Sequence, residues 1–181
     1  MKIVPSTIPD VLIIEPKVFG DDRGFFMESY NHKEFLKATG YDIQFVQDNH
    51  SKSQKNVLRG LHYQIKQPQG KLVRVSSGVV YDIAVDLRQS SSTFAKWVGI
   101  ELSAENKKQL WVPEGFAHGF VVLSDTAEFL YKTTDYYAPE HERCIVWNDK
   151  ELNIDWHING EPLLSEKDQQ GMTLHDADKF Q

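Results

Sequence analysis

The chain has 181 residues, with 20 Lys+Arg against 26 Asp+Glu and a formal charge of −6. With 40% hydrophobic residues and no run near the roughly 20 apolar residues of a membrane span, a disordered tail, a collagen-like fibre and a membrane protein are excluded. The acidic balance and the absence of a Lys/Arg stripe argue against a nucleic-acid polymer as partner, while leaving room for a local cationic pocket that holds a small anion.

A chain of this length buries roughly 70% of its unfolded surface and needs no covalent staples. One domain spanning 1–181 is therefore expected. Cys144 is the only cysteine, so no intrachain disulfide forms, which suits a reducing compartment. The opening Met1-Lys2-Ile3-Val4-Pro5 lacks the apolar stretch of a secretion signal, and a cytoplasmic setting is expected.

In chain order, the pattern predicts strands over 11–19 and 24–30, separated by the turn residues Gly20-Asp21-Asp22. Asn31-His32-Lys33-Glu34 then reads as a capping box before Phe35-Leu36, and Gly40 ends that helix. Strands follow over 43–48, 58–64, 71–76, 79–87, 96–102, 109–112, 117–123 and 127–133. The segment 79–87 alternates, with Val79, Tyr81, Ile83, Val85 and Leu87 on one side and Asp82 and Asp86 on the other. In 127–133 the residues Ala127, Phe129 and Tyr131 share a face. Ser165-Glu166-Lys167-Asp168 repeats the helix-start signature near the C-terminus. Many short strands without a βαβ rhythm predict an all-β jelly roll with a few short helices.

Four constellations carry possible chemistry. In Leu58-Arg59-Gly60-Leu61-His62-Tyr63-Gln64, regular alternation puts His62 on one face with Leu58, Gly60 and Gln64. A histidine at a cavity wall suits a general base, because its unperturbed pKa is near neutrality; a structural histidine bonded to backbone is the plainer alternative. Arg59 has the opposite parity, so both serve one pocket only if Gly60 bends or bulges the strand. Pro113-Glu114-Gly115-Phe116-Ala117-His118 resembles the second half-motif of the cupin superfamily, P-x-G-x2-H. A metal-binding cupin also needs an H-x-H pair, and position 64 is Gln, so a cupin-type barrel that uses no metal is expected.

Tyr131 reads either as a core tyrosine or as a phenol able to return a proton beside a carbanion. Tyr136 and Tyr137 offer flat platforms for a nucleobase or are ordinary strand-end aromatics. Arg23, Arg59 and Lys71 are candidate holders of phosphates or an oxyanion, or plain solvated charges. Asp168 either caps the helix beginning at Ser165 or accepts a hydrogen bond from His62, 106 positions away.

Five blocks, D-D-R-G-F-F-M-E (21–28), Q-D-N (47–49), R-G-L-H-Y-Q (59–64), P-E-G-F-A-H-G-F (113–120) and Y-K-T-T-D-Y-Y (131–137), together resemble the dTDP-4-dehydrorhamnose 3,5-epimerase family. The resemblance runs in order over nearly the whole chain. It implies a cupin jelly roll without metal or cofactor, acting as a homodimer on a dTDP-linked 4-keto-6-deoxy sugar inverted at C3 and C5. It further implies that His62 is the base, Asp168 its partner and Tyr131 the acid on the opposite face; the chemistry itself asks for positive charge at the enolate oxygen, for which Lys71 is the candidate. Binding roles would fall on Arg23, Glu28, Gln47, Asp48, Asn49, Arg59, Lys71, His118, Tyr137, Glu142 and Lys167, with Tyr137 stacking on thymine.

Four rival readings stand beside it. A C3-only or C5-only epimerase would carry the same His/Asp/Tyr set, and a 4-keto sugar 3,4-isomerase would move the carbonyl. A non-catalytic sugar-nucleotide-binding cupin would bind dTDP without proton exchange. A metal-dependent cupin oxygenase would need the missing H-x-H.

Overall fold

The computed structural model describes residues 1–181. Its strands in chain order are β1 (Lys2–Pro5), β2 (Leu12–Glu15), β3 (Val18–Asp21), β4 (Gly24–Met27), β5 (Gln47–Gln54), β6 (Leu58–Gln64) and β7 (Lys71–Ser77). They continue with β8 (Val79–Asp86), β9 (Trp97–Ser103), β10 (Gln109–Val112), β11 (Phe116–Val122), β12 (Thr126–Thr133) and β13 (Glu142–Cys144). Two short helices, α1 (His32–Thr39) and α2 (Glu166–Gln169), complete the chain. One sheet has the order β1-β2-β10-β7-β12-β5 and the other β13-β6-β11-β8-β9, while β3 and β4 form a separate hairpin. Every strand pair is antiparallel. The expected all-β, cupin-type jelly roll with few helices is what the chain forms.

The main core fills the space between the sheets. Val73, Val75, Leu110, Val112 and Phe129 from the six-stranded sheet meet Val80, Ala84, Val98, Phe116 and Phe120 from the five-stranded one. A second core covers the outer face of the five-stranded sheet. There Tyr81, Ile83, Val85 and Leu87 pack with Leu58, Leu61 and Val121 against Ile145, Leu152, Trp156 and Leu174. The odd residues of β8 thus share a face as expected. The opposite face is buried too, and Asp82 and Asp86 are both fully buried. The late segment that supplies the second core runs back along this sheet and bridges Ile145 to Met172 and Arg88 to Phe180. That path delivers α2 to β6.

Both helix starts form as read. Asn31 Oδ1 accepts from the Glu34 N–H at 3.3 Å, and Gly40 closes α1 in the left-handed region at φ 77°. Ser165 and Asp168 form a reciprocal capping box on α2.

Three strand expectations need correction. The predicted 11–19 strand breaks at Pro16-Lys17 into β2 and β3, because proline removes a ladder donor. The predicted 43–48 strand lies instead at Gln47–Gln54, while Ile43 and Phe45 pack into a small cluster with Phe35 and Trp111. β1 and β13 carried no signal strong enough to be read. Alternation also fails along β6: Leu58 belongs to the outer core, on the face away from His62. The cause is a register slip, with His62 opposite His118 but Arg59 opposite Phe120. Two glycines permit it. A Cβ at Gly60 would lie 2.6 Å from Gly119 Cα, one at Gly119 would lie 2.7 Å from the Arg59 carbonyl oxygen, and Gly60 has φ 118°.

Candidate active site

A cavity of about 380 Å³ opens between the two sheets. From the five-stranded sheet it receives Arg59, His62, His118 and Glu142, and from the six-stranded sheet Asn49, Lys71 and Tyr131. Tyr137, Lys167 and Asp168 line it from the connecting segments. The bulge at Gly60 is what turns both Arg59 and His62 into one space.

His62 stands between two carboxylates. Its Nε2 lies 2.7 Å from Asp168 Oδ1 and its Nδ1 lies 3.3 Å from Glu142 Oε1. The Asp168 contact is a hydrogen bond, whereas Nδ1 is buried without a well-aligned partner. With Asp168 accepting from Nε2–H, the lone pair rests on Nδ1, toward Glu142. Burial pulls the imidazole pKa down, but Asp168 and Glu142 outweigh it and leave the group above its ordinary value.

Asp168 serves both purposes between which the sequence left a choice. Its Oδ2 accepts from the Ser165 hydroxyl at 2.6 Å, closing the helix cap, while Oδ1 faces His62 and accepts from the Gly60 N–H at 3.0 Å. Burial works against its charge, yet these donors hold the carboxyl down at about 2. Glu142 is similarly held at about 2 against its own desolvation, by His62, Lys167 and Tyr137. It pairs with Lys167 and accepts from the Tyr137 hydroxyl at 2.7 Å.

Lys71 is buried beneath the cavity, and its Nζ donates across the sandwich to the His62 carbonyl at 3.4 Å. Desolvation lowers its pKa to about 8, partly countered by Asp82 and Glu142. Tyr131 belongs to the opposite sheet from His62; burial raises its phenol, reinforced by the charge of Glu142. His118 Nε2 lies 2.9 Å from Asp82 Oδ1, and Asp82 is pushed up by complete burial.

Four residues with expected binding roles lie elsewhere. Arg23 sits in the β3–β4 turn paired with Asp21, its side chain 89% exposed. Glu28 accepts from Asn31 Nδ2 at 3.1 Å beyond that hairpin. Asp48 faces outward and pairs with Lys132 at 2.9 Å. Gln47 accepts from the Tyr137 N–H at 3.1 Å, acting on the loop instead of lining the cavity.

Some functional neighbours were not singled out. Ser53 accepts from Arg59 Nη2 at 3.0 Å. Asp82 was legible only as one side of an alternating strand. Gln64, noted because it stands where a metal-binding cupin has histidine, accepts from Ala138 N–H at 2.8 Å and donates to the Tyr136 carbonyl at 3.2 Å. It therefore pins the loop that carries Tyr137.

The profile described as dTDP-4-dehydrorhamnose 3,5-epimerase matches residues 5–176. The chain belongs to this family. It is 67% identical over 180 residues to a dTDP-4-dehydrorhamnose 3,5-epimerase of Pseudomonas aeruginosa, covering 99% of both proteins. Among solved structures it is similar to the dTDP-6-deoxy-D-glucose-3,5-epimerase of Legionella pneumophila in complex with dTDP-4-keto-L-rhamnose. That match has a TM-score of 0.96 and 53% identity, and covers 98% of this chain and 94% of that one. The fold also accommodates a single inversion. A 3'-monoepimerase from Streptomyces bikiniensis in complex with dTDP-quinovose is 32% identical with a TM-score of 0.89, over 97% of this chain and 88% of that one. The chain thus belongs to a family of enzymes, as its motifs implied, and none of its helices is long and apolar enough to cross a membrane.

Proposed function

We propose that this cavity inverts C3 and C5 of dTDP-4-dehydro-6-deoxy-D-glucose, giving dTDP-4-dehydro-L-rhamnose, by two rounds of deprotonation and reprotonation beside the C4 ketone. The single observation that carries the reading is that His62 and Tyr131 belong to facing sheets yet line one cavity. Inversion needs a proton to leave from one side of the sugar and another to arrive from behind. One residue working alone would return the proton to the face it came from.

His62 Nδ1 takes the C–H proton, and the electron pair of that bond moves onto the C4 oxygen as an enolate. Asp168 keeps the proton on Nε2 and stabilises the imidazolium that forms. Lys71 meets the developing oxyanion; one such preorganised donor is typically worth about 3–4 kcal/mol. Tyr131 then gives its proton to carbon from the opposite side. Its raised pKa keeps it protonated until that step. Solvent resets both groups between rounds, so the proton delivered is not the proton removed. Arg59, His118 and Lys167 supply the diphosphate and sugar with hydrogen-bond donors, and the exposed ring of Tyr137 (52%) offers thymine a stacking surface.

We also infer a homodimer. The β3–β4 hairpin projects Phe19, Phe25 and Phe26 at 52%, 61% and 66% exposure, which a lone chain rarely presents together. A second copy covering them would also bring Arg23 and Glu28 toward a cavity, giving those residues the binding role expected of them. Sedimentation at micromolar concentration tests this, with a monomer as the contrary result.

Incubation with the keto sugar in D2O tests the chemistry. Deuterium at both C3 and C5 is the expected outcome. A single labelled carbon would make the chain a one-centre epimerase, and an unlabelled sugar that nonetheless binds would make it a carrier.

A further inference from the structure

Behind the base lies a group that the epimerisation leaves idle. Cys144 on β13 stands directly opposite His62 on β6. The ligand atoms of His62, Cys144 and Asp168 all lie within 4.8 Å of one another. They come from three separate elements, β6, β13 and α2, so ladder pairing and the helix cap hold them without help from any ion. A tetrahedral Zn²⁺ with bonds of about 2.0–2.3 Å sets its ligand atoms about 3.3–3.7 Å apart. The Nε2–Oδ1 pair, now at 2.7 Å, needs only a small opening to reach that spacing.

The chemistry of the donors favours one class of cation. Thiolate, imidazole and carboxylate together suit Zn²⁺, Co²⁺ or Cd²⁺, whereas Mg²⁺ and Ca²⁺ take oxygen ligands. The outer shell is also in place. A metal-bound imidazole commonly donates its other N–H to a carboxylate, and Glu142 Oε1 waits 3.3 Å from Nδ1. Access does not require the substrate cavity. Cys144 and Met172 line a second groove that borders the substrate cavity along Glu142, Ser165 and Lys167, and this groove brings an ion to the thiol.

We propose that His62 Nε2, Cys144 Sγ and Asp168 Oδ1 bind one thiophilic divalent cation per chain, and that this ion switches the enzyme off. The ion takes the Nε2 lone pair, and the proton held there moves to Nδ1, where Glu142 accepts it. The thiol proton leaves to solvent. The nitrogen that removes hydrogen from carbon then carries a proton of its own, and the base is gone. Ligation requires the thiolate, so binding releases a proton and tightens as pH rises.

The inhibitory half rests on the reading of His62 as the base; the binding half does not. The first experiment therefore uses Co²⁺ alone on the intact protein. The expected result is one ion per chain with a thiolate-to-cobalt charge-transfer band that Zn²⁺ abolishes. Cys144→Ser is expected to lose the band and bind at least tenfold more weakly, while Cys144→Ala does the same without a hydroxyl to substitute. No band in the parent, or binding by either variant as tight as the parent's, overturns the site. The second experiment follows deuterium wash-in. Zn²⁺ should halt it and EDTA restore it, whereas Cys144→Ser should keep its activity within about twofold and resist Zn²⁺ at least tenfold better. A cobalt band with undiminished exchange would leave the site standing, overturn the inhibition and remove His62 from its role as base.

Discussion

His62–Asp168 and His118–Asp82 are the same two side-chain types at nearly the same separation, 2.7 and 2.9 Å, and both histidines line one cavity. Their surroundings set them apart. Asp168 has both oxygens supplied with donors, from Ser165 and Gly60 as well as His62, and its pKa falls to about 2. Asp82 Oδ2 is buried without a partner, and complete burial drives its pKa upward. Side-chain exposure is 22% for His62 and 7% for His118. The first pair therefore has a firmly ionised aspartate, a second carboxylate nearby and an imidazole that is partly exposed. The second has none of these and is suited to hold a hydrogen bond in place. A histidine–aspartate contact is thus no proof of a base; the donors around the carboxylate decide.

The largest test of this contrast removes each imidazole in turn. His62→Ala should lower deuterium exchange at both carbons by roughly 10²–10⁴-fold. His118→Asn should cost at least tenfold less, mainly through KM, and equal losses would break the distinction. Asp168→Asn sharpens it next: exchange should fall nearly as far as in His62→Ala, because the amide favours the wrong tautomer. Asp82→Asn should cost about tenfold or less. Tyr131→Phe separates removal of a proton from its return, keeping measurable wash-in at the abstracted position while net inversion falls more steeply.

The pH profile gives a smaller but signed effect. His62 must be neutral to act and its pKa is raised, so kcat/KM should decline as pH falls through that raised value. Lys71 must be charged, so the rate should also decline as pH rises through about 8. Asp168→Asn should move the acidic limb to lower pH, whereas Asp82→Asn should leave it in place. Stability follows a related rule. Asp168 and Glu142 ionise at about 2 when folded against about 4 when unfolded. Their stabilisation is present above pH ~4 and is lost as pH falls toward 2. Denaturant midpoints measured between pH 5 and pH 2 should drop less in Asp168→Asn than in the parent. The smallest effect concerns the scaffold: Gly60→Ala should destabilise by about 1–3 kcal/mol, since its methyl meets backbone at 2.6 Å.

Much of this was legible in the sequence where side chains obey a period. β7, β8 and β12 alternate against the core, and their limits fell within a residue or so of those read. β5 was misplaced for a physical reason. Its residues QDNHSKSQ face solvent on one side and a polar cavity on the other, so the strand has no hydrophobic face to announce it. As an edge strand it also benefits from charge, which keeps other chains from pairing with it. Strand parity makes a bulge in β6 the condition for Arg59 and His62 to share a pocket, and its register slip is present. The second carboxylate at His62, by contrast, was assigned to substrate. Glu142 reaches the imidazole only because β13 pairs with β6, and three residues with no periodic signal gave no sign of that.

A four-residue helix near residue 168 supplies the carboxylate partner of an imidazole 106 positions earlier. The strands thus fix where His62, Lys71 and Tyr131 stand, while the carboxylate that tunes the imidazole comes from a segment beyond all of them. The pair His62–Asp168 therefore exists only when the late segment is docked against β6.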